Sequence, residues 1–135
     1  MRAIPVSEAL AHMEQILQAA NIELKVEDLP EVSELSPVQQ NIISMCLKEA
    51  GTNVVKHSQA TTCKVQQLLS KGSLSISVED DGIGIHSREG IGNGIRGMEE
   101  RLSLIDGQLS IASSDEGTTL KFTIPVVLKQ EEIVL

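Results

Sequence analysis

Aromatic side chains are almost missing from this chain: one Phe and neither Trp nor Tyr among 135 residues. Leu, Ile and Val must then fill the interior, so an aliphatic core is expected. Cysteine is scarce as well. Cys46 and Cys63 sit in apolar stretches and form no C-x-x-C or Cys/His spacing, which leaves structural zinc without a ligand set. Two buried thiols in a reducing cytoplasm are expected instead. Positive charge is in short supply, with 11 Lys and Arg against 19 Asp and Glu and a net charge of −8. That balance argues against a nucleic-acid partner, whose phosphates need clustered Lys and Arg; a divalent cation or a basic partner suits it better. No run approaches the ~18 apolar residues that cross a bilayer. The N-terminus lacks the basic-then-apolar layout of a signal peptide. The expectation is a soluble cytoplasmic domain, with room for a parent anchored in the cell membrane.

What remains is enough for one core, since 41% of the residues are apolar. Residues 1–135 read as a single domain with a tail over 128–135. From Ser7 to Ala20, Ala9, Leu10, Met13, Ile16, Leu17 and Ala20 recur at helical spacing, with Ser7 as candidate N-cap and Asn21 as terminator. Ile22 to Val26 alternates as a half-buried strand does. Asp28 to Ser36 is a connecting loop, and Ser36-Pro37 opens a long helix to about His57. Thr61 to Leu69 and Leu74 to Val78 flank Ser70-Lys71-Gly72-Ser73 as a hairpin. A glycine-dense region follows, read as loop until a helix begins near Ile95 and runs to about Ile105. Asp106-Gly107 stops it, and Gln108 to Ala112 with Thr118 to Val127 forms a closing antiparallel pair. The order αβαββαββ predicts an α+β, two-layer sandwich: a mixed, mostly antiparallel five-stranded sheet with helices on one face.

On the long helix, Val38, Ile42, Met45 and Cys46 mark an apolar face. Glu49 lies one heptad beyond Ile42, and Asn53 one heptad beyond Cys46. A seven-residue step returns to within about 20° of the same bearing. A carboxylate and an amide therefore project where core lay two turns earlier, and Lys56 repeats the step from Glu49. Burying such groups unpartnered costs several kcal/mol. Either a ligand cavity receives them or the helix emerges into water there.

Two glycine strings follow. Asp80-Asp81-Gly82-Ile83-Gly84 comes straight off a strand, which places a carboxylate at the strand end before a sharp turn. Gly92-Asn93-Gly94-Ile95-Arg96-Gly97 matches G-x-G-x-x-G and opens a helix whose amides can hold phosphate. The dinucleotide reading of that string needs a strand just before it, and His86 to Gly90 does not supply one. No G-x-x-x-x-G-K-[ST] occurs, so there is no P-loop.

In this order the strings resemble the N, G1 and G2 boxes of GHKL ATPases, over roughly Leu47 to Pro125. Leu47 to His57 looks like an N box, Asp80 to Gly84 like G1, and Gly92 to Leu102 like G2; Gly117-Thr118 resembles the adenine-side Gly-Thr. The variants K-E-A-x-T-N-x-x-K-H-[SA] and G-x-G-x-x-G-M-x-E-R-L are similar to those of the NarL/DesK group of sensor histidine kinases. The resemblance implies a Bergerat-type ATP-binding fold with ATP and Mg²⁺ as cofactors. It implies that Asn53 ligates Mg²⁺, that Glu49 is the general base or orients the attacking imidazole, and that Lys56 and His57 meet the nucleotide. It further implies that Asp80 accepts from the adenine amino group with Thr118 assisting, and that Gly82 and Gly84 permit the turn. Gly92, Gly94, Ile95 and Gly97 would cradle phosphates at the helix start.

The implied reaction moves the γ-phosphoryl group of ATP to a histidine on a separate dimerisation domain, for relay to a response regulator. That domain is not found in this sequence: His12 is followed by Met13 rather than by an acidic residue. A monomeric piece of a homodimeric parent, inactive in autophosphorylation by itself, is expected. Departures from the family pattern are Gly51 in mid-helix, costing roughly 1 kcal/mol against Ala, and the absence of the usual phenylalanine-bearing box between G1 and G2. Two rivals stay open, an anti-sigma-factor serine kinase and a partner-binding module without catalysis.

Overall fold

Ala9, Met13 and Leu17 recur every four residues on helix α1 (Val6–Ala19), and all three are fully buried. The helix begins ahead of Ser7. Pro5 stands at its N-cap in extended conformation, and the Pro5 carbonyl accepts from the amides of Glu8 and Ala9. Asn21 takes a left-handed φ of 60° and turns the chain into strand β1 (Glu23–Glu27). The computed structural model describes residues 4–27, 35–70, 72–84 and 92–126. Most of the Asp28 to Ser36 loop, residues 85–91 of the glycine-dense region and the tail over 128–135 lie outside them.

Helix α2 (Pro37–Asn53) opens on a complete capping box. The Ser36 hydroxyl accepts from the Gln39 amide at 3.2 Å, and the Gln39 side chain accepts from the Ser36 amide at 3.0 Å. Its buried face runs through Ile42, Ile43, Cys46, Leu47, Ala50 and Gly51. Val38 and Met45, expected in the core, are 52% and 39% exposed. The interior stripe is turned toward Ile43 and Leu47 because α2 is covered by α1 as well as by the sheet. Gly51 lies at that crossing: a Cβ there would be 3.1 Å from Met13 Cγ. The helix-propensity cost of the glycine is exchanged for close packing of two helices.

Past Asn53 the backbone widens into a π-helical turn, Val54–Ser58, which Gln59 ends at a left-handed φ of 55°. The sequence period gave one α-helix to His57. Buried Ser58 ties this turn off, donating to the Val54 carbonyl at 2.6 Å and accepting from the Ala60 amide at 3.0 Å.

Strands β2 (Thr62–Ser70) and β3 (Ser73–Asp80) form the expected hairpin, with β3 reaching two residues beyond Val78. Helix α3 (Gly92–Ser103) then precedes β4 (Gln108–Ser114) and β5 (Gly117–Pro125). The sheet order is β1-β2-β3-β5-β4. β1 pairs with β2 in parallel, and every other pair is antiparallel. Cys63, Val65, Leu74, Ile76, Val78, Leu120, Phe122 and Ile124 point inward and join the helical residues in one core cluster. Their alternates, among them Lys64, Ser75, Ser77 and Lys121, take the opposite face. The core is aliphatic around a single ring, Phe122.

α3 starts at Gly92, three residues ahead of the expected Ile95. Gly94 and Gly97 therefore lie inside its first turns rather than in a loop. Met98 and Leu102, four residues apart and fully buried, hold the helix to the core. Asp106 at φ 57° and a Gly107 amide bond to the Leu102 carbonyl at 2.7 Å close it. No helix among the described residues is long and apolar enough to cross a membrane.

Candidate functional site

Asp80 is the last residue of β3 and lies on the inward face, with 8% of its surface exposed. Its Oδ1 accepts the Gly82 amide at 2.9 Å. Thr118, its cross-strand partner on β5, supplies a second backbone N–H. Burial pushes the Asp80 pKa up; the Gly82 and Thr118 amides pull against that, and the nearby Asp81 and Glu79 charges add to it. A carboxylate has about four acceptor positions. Two amide bonds leave capacity for an amino donor arriving from outside.

The backbone around this carboxylate approaches so closely that side chains are excluded. A Cβ on Gly82 would run into the Ser58 carbonyl. Gly117, at φ 142°, packs on the Asp80 carbonyl in the same way, and Gly84, at φ 83°, on that of Ser114. The turn is anchored twice more. The Ile83 amide donates to the Ser58 carbonyl at 2.8 Å. The exposed Asp81 carboxylate accepts from the Thr61 amide at 2.8 Å, the Thr61 hydroxyl at 2.7 Å and the Thr62 amide at 2.9 Å. These bonds hold the Asp81 pKa far below the ordinary carboxylate range, the Thr61 side chain first among them.

Beside Asp80, Ser113, Ser114, Gly117 and Thr118 line an open hollow of about 320 Å³ at the end of the sheet. The Thr118 and Ser113 hydroxyls are hydrogen-bonded at 3.0 Å. A second hollow of about 500 Å³, along Arg96, Glu99, Glu100 and Ser103, takes in none of the site residues expected from the sequence.

Glu49 and Asn53 are half-buried and one helical turn apart on α2. The Glu49 carboxylate lies against Gly94, in the first turn of α3, where a Cβ would have to go. Gly94, Ile95 and Gly97 are half-buried there, and Gly92 is the first helical residue. Lys56 is exposed. The heptad step that aligned it with Glu49 assumed α-helical winding, and the π-helical turn changes its bearing. His57 is in that turn, and its side chain lies outside the described residues.

A run of contacts therefore joins the expected residues: Gly94 to Glu49, along α2 to Asn53, through the π-helical turn to Ser58, and across to Gly82, Asp80 and Thr118. Ser58, Thr61 and Asp81 were not singled out as site residues by the sequence. For Ser58 the only signal was its place at the end of the N-box string. Asp81 carried no signal of its own within the G1-like string. Among the described residues no group of three or more His, Cys, Asp or Glu could hold a metal ion. A divalent cation here would have to take most of its oxygens from a bound ligand, and an Asn amide oxygen beside a phosphate suits that. The two cysteines are free and buried, and burial pushes each thiol to about 12, which makes them inert packing.

Sheet order, helix placement and the buried carboxylate at the end of β3 define an ATPase fold of the GHKL type. The chain belongs to the histidine kinase-, DNA gyrase B- and HSP90-like ATPases, whose family model matches residues 38–128. It is 44% identical over 131 residues to the sensor histidine kinase YvfT of Bacillus subtilis, covering 97% of this chain and 35% of that protein. It is 43% identical over 129 residues to the sensor histidine kinase DesK of the same organism, covering 93% of this chain and 34% of that one. The chain thus spans about a third of the length of these curated relatives. In structure it resembles the histidine kinase domain of a blue-light activated kinase from Erythrobacter litoralis EL346. That match has a TM-score of 0.75 at 20% identity and covers 91% of this chain and 62% of that one.

Proposed function

We propose that this chain is the ATP-binding catalytic domain of a two-component sensor histidine kinase, in which the γ-phosphoryl group passes to a histidine of a separate dimerisation domain and then to a response regulator. The observation that carries the reading is the Asp80 carboxylate, buried at a strand end with acceptor capacity left over and walled by three close-approach glycines. The kinship with YvfT and DesK supports it.

In this reading Asp80 accepts from the exocyclic amino group of adenine, and Thr118 lies beside it on β5. The first amides of α3, from Gly92 through Gly94 and Ile95 to Gly97, receive phosphate oxygens where the helix dipole favours anions. Lys56 and His57 border the phosphates. The Asn53 amide oxygen would hold Mg²⁺, which when bound neutralises charge on the phosphate oxygens. Glu49 orients the incoming imidazole or takes its proton, and its position against Gly94 keeps it at the end of α3 that the phosphates approach. Residues 1–135 act as one nucleotide-binding unit, monomeric alone and part of a homodimeric parent, with no catalysis of autophosphorylation until joined to the histidine-bearing domain.

The test is reconstitution with the dimerisation domain of DesK, followed by transfer of labelled phosphate from ATP. Transfer that disappears with Asn53→Asp while the fold is retained supports the reading. Unchanged transfer in that variant removes the metal assignment, and no transfer by the wild-type chain removes the kinase.

A further inference from the structure

Asp80 can read an amino group only if its carboxylate is held at one bearing, and its own bonds, to Thr118 on the strand side and to Gly82 within the turn, leave the far side of that turn to other contacts. The Gly82 amide that binds Asp80 Oδ1 belongs to the same turn and moves with it. Independent anchorage comes from the neighbouring residue. Asp81 Oδ1 takes the amides of Thr61 and Thr62, and Oδ2 takes the Thr61 hydroxyl, at 2.7 to 2.9 Å. The Asp81 amide completes the clasp by donating to the Thr62 carbonyl at 3.3 Å. Thr61 and Thr62 enter β2 directly after the Ser58 turn, and Ser58 receives the Ile83 amide and the face of Gly82. The Asp80 turn is thus pinned on both sides to the segment leaving α2.

We infer that Asp81 is a positioning residue: its carboxylate fixes the Asp80 turn to the start of β2, and so determines selection of an adenine over a base without the amino group. This rests on the proposed ATP site. The bonding pattern makes a further demand. An Asn at 81 would keep the clasp, since its Oδ1 accepts both backbone amides and its Nδ2 donates to the Thr61 hydroxyl oxygen. Ala keeps none of the three side-chain bonds. Charge at 81 is therefore dispensable, and geometry is not.

The experiment compares Mg²⁺-ATP with Mg²⁺-inosine triphosphate, which carries the same phosphates but an oxo group in place of the amino group. Affinities are measured calorimetrically for the wild-type chain, Asp80→Asn, Asp81→Ala and Asp81→Asn, with thermal melts alongside. A hydrogen bond to a charged acceptor predicts a wild-type preference for ATP on the order of ten- to a hundredfold. Asp81→Ala should reduce that preference to within about threefold of the Asp80→Asn value while inosine triphosphate affinity holds, and Asp81→Asn should retain it. Equal weakening of both nucleotides in Asp81→Ala, or full preference in that variant, overturns the inference while a loss of preference in Asp80→Asn leaves the ATP site standing. A preference unchanged by Asp80→Asn instead removes the site on which the inference rests. If Asp81→Ala melts below the assay temperature, Thr61→Val removes only the hydroxyl bond. It is expected to lower the preference about two- to fivefold, and an unchanged ratio there also overturns the proposal.

Discussion

The Glu49 carboxylate occupies the space that a Cβ on Gly94 would fill, joining the C-terminal part of α2 to the first turn of α3. A glycine inside a helix is otherwise a cost of roughly 1 kcal/mol relative to alanine. Its presence here is explained by the neighbour rather than by the backbone.

Gly94→Ala should therefore separate stability from catalysis. The helix gains propensity and the flexible Glu49 side chain swings aside, so the melting temperature is expected to hold or rise. Phosphoryl transfer by the reconstituted kinase should fall by about 10²-fold or more, the usual contribution of a positioned base. Glu49→Gln should cause a similar loss. Kinetics of both variants beside thermal melts provide the check.

Gly51→Ala places a methyl 3.1 Å from Met13 Cγ. Methionine is flexible enough to give way, so the packing cost and the helix-propensity gain nearly cancel. Urea unfolding is expected to show a change below about 1 kcal/mol. Gly51→Leu has no such escape and should destabilise by about 1–3 kcal/mol, as overpacking does.

Gly117→Ala meets a backbone carbonyl, that of Asp80, at a φ of 142° that L-residues rarely adopt. Neither atom can swing away. A loss on the order of 1–3 kcal/mol is expected from the strain, with weaker nucleotide binding because the Asp80 carbonyl must move. Urea unfolding and ATP titration measure the two effects.

The two adjacent carboxylates should respond to acid in opposite senses. Burial raises the Asp80 pKa in the folded state, so its contribution to stability is greatest below the unfolded value of about 3.9 and is lost as pH rises through the folded pKa. Asp80→Asn is expected to be more stable than wild type at pH 7, with the gap closing on acidification. The bonds from Thr61 and Thr62 lower the Asp81 pKa, so its contribution is present above about 3.9 and is lost as pH falls through the folded pKa. Asp81→Asn should flatten the acid limb. Denaturant titrations of both variants from pH 7 down to about 3 distinguish the two signs.

Most of the scaffold was legible because its signals are local. Ser36-Pro37 marks the start of α2 by itself, and the strand alternation from Cys63 to Val78 needs only a period of two. What escaped depends on contacts between distant segments. The π-helical turn after Asn53 interrupts a period that the sequence extends to His57, and it is tied to Ile83. The helical start at Gly92 was hidden by glycines whose reason, at Gly94, is a side chain 45 positions earlier. Asp81 finds its partners at Thr61 and Thr62, 20 and 19 residues away. Val38 and Met45 fit the apolar period but face outward, because the period does not say which side α1 covers.

The most direct test of the nucleotide site is calorimetric titration of the 135-residue chain with an ATP analogue, with and without Mg²⁺, beside Asp80→Asn. The Asp80 assignment predicts Mg²⁺-dependent binding in the micromolar range that the substitution weakens at least about tenfold, as loss of a charged acceptor should. Absence of binding by the wild-type chain, or binding of equal strength in Asp80→Asn, would contradict it.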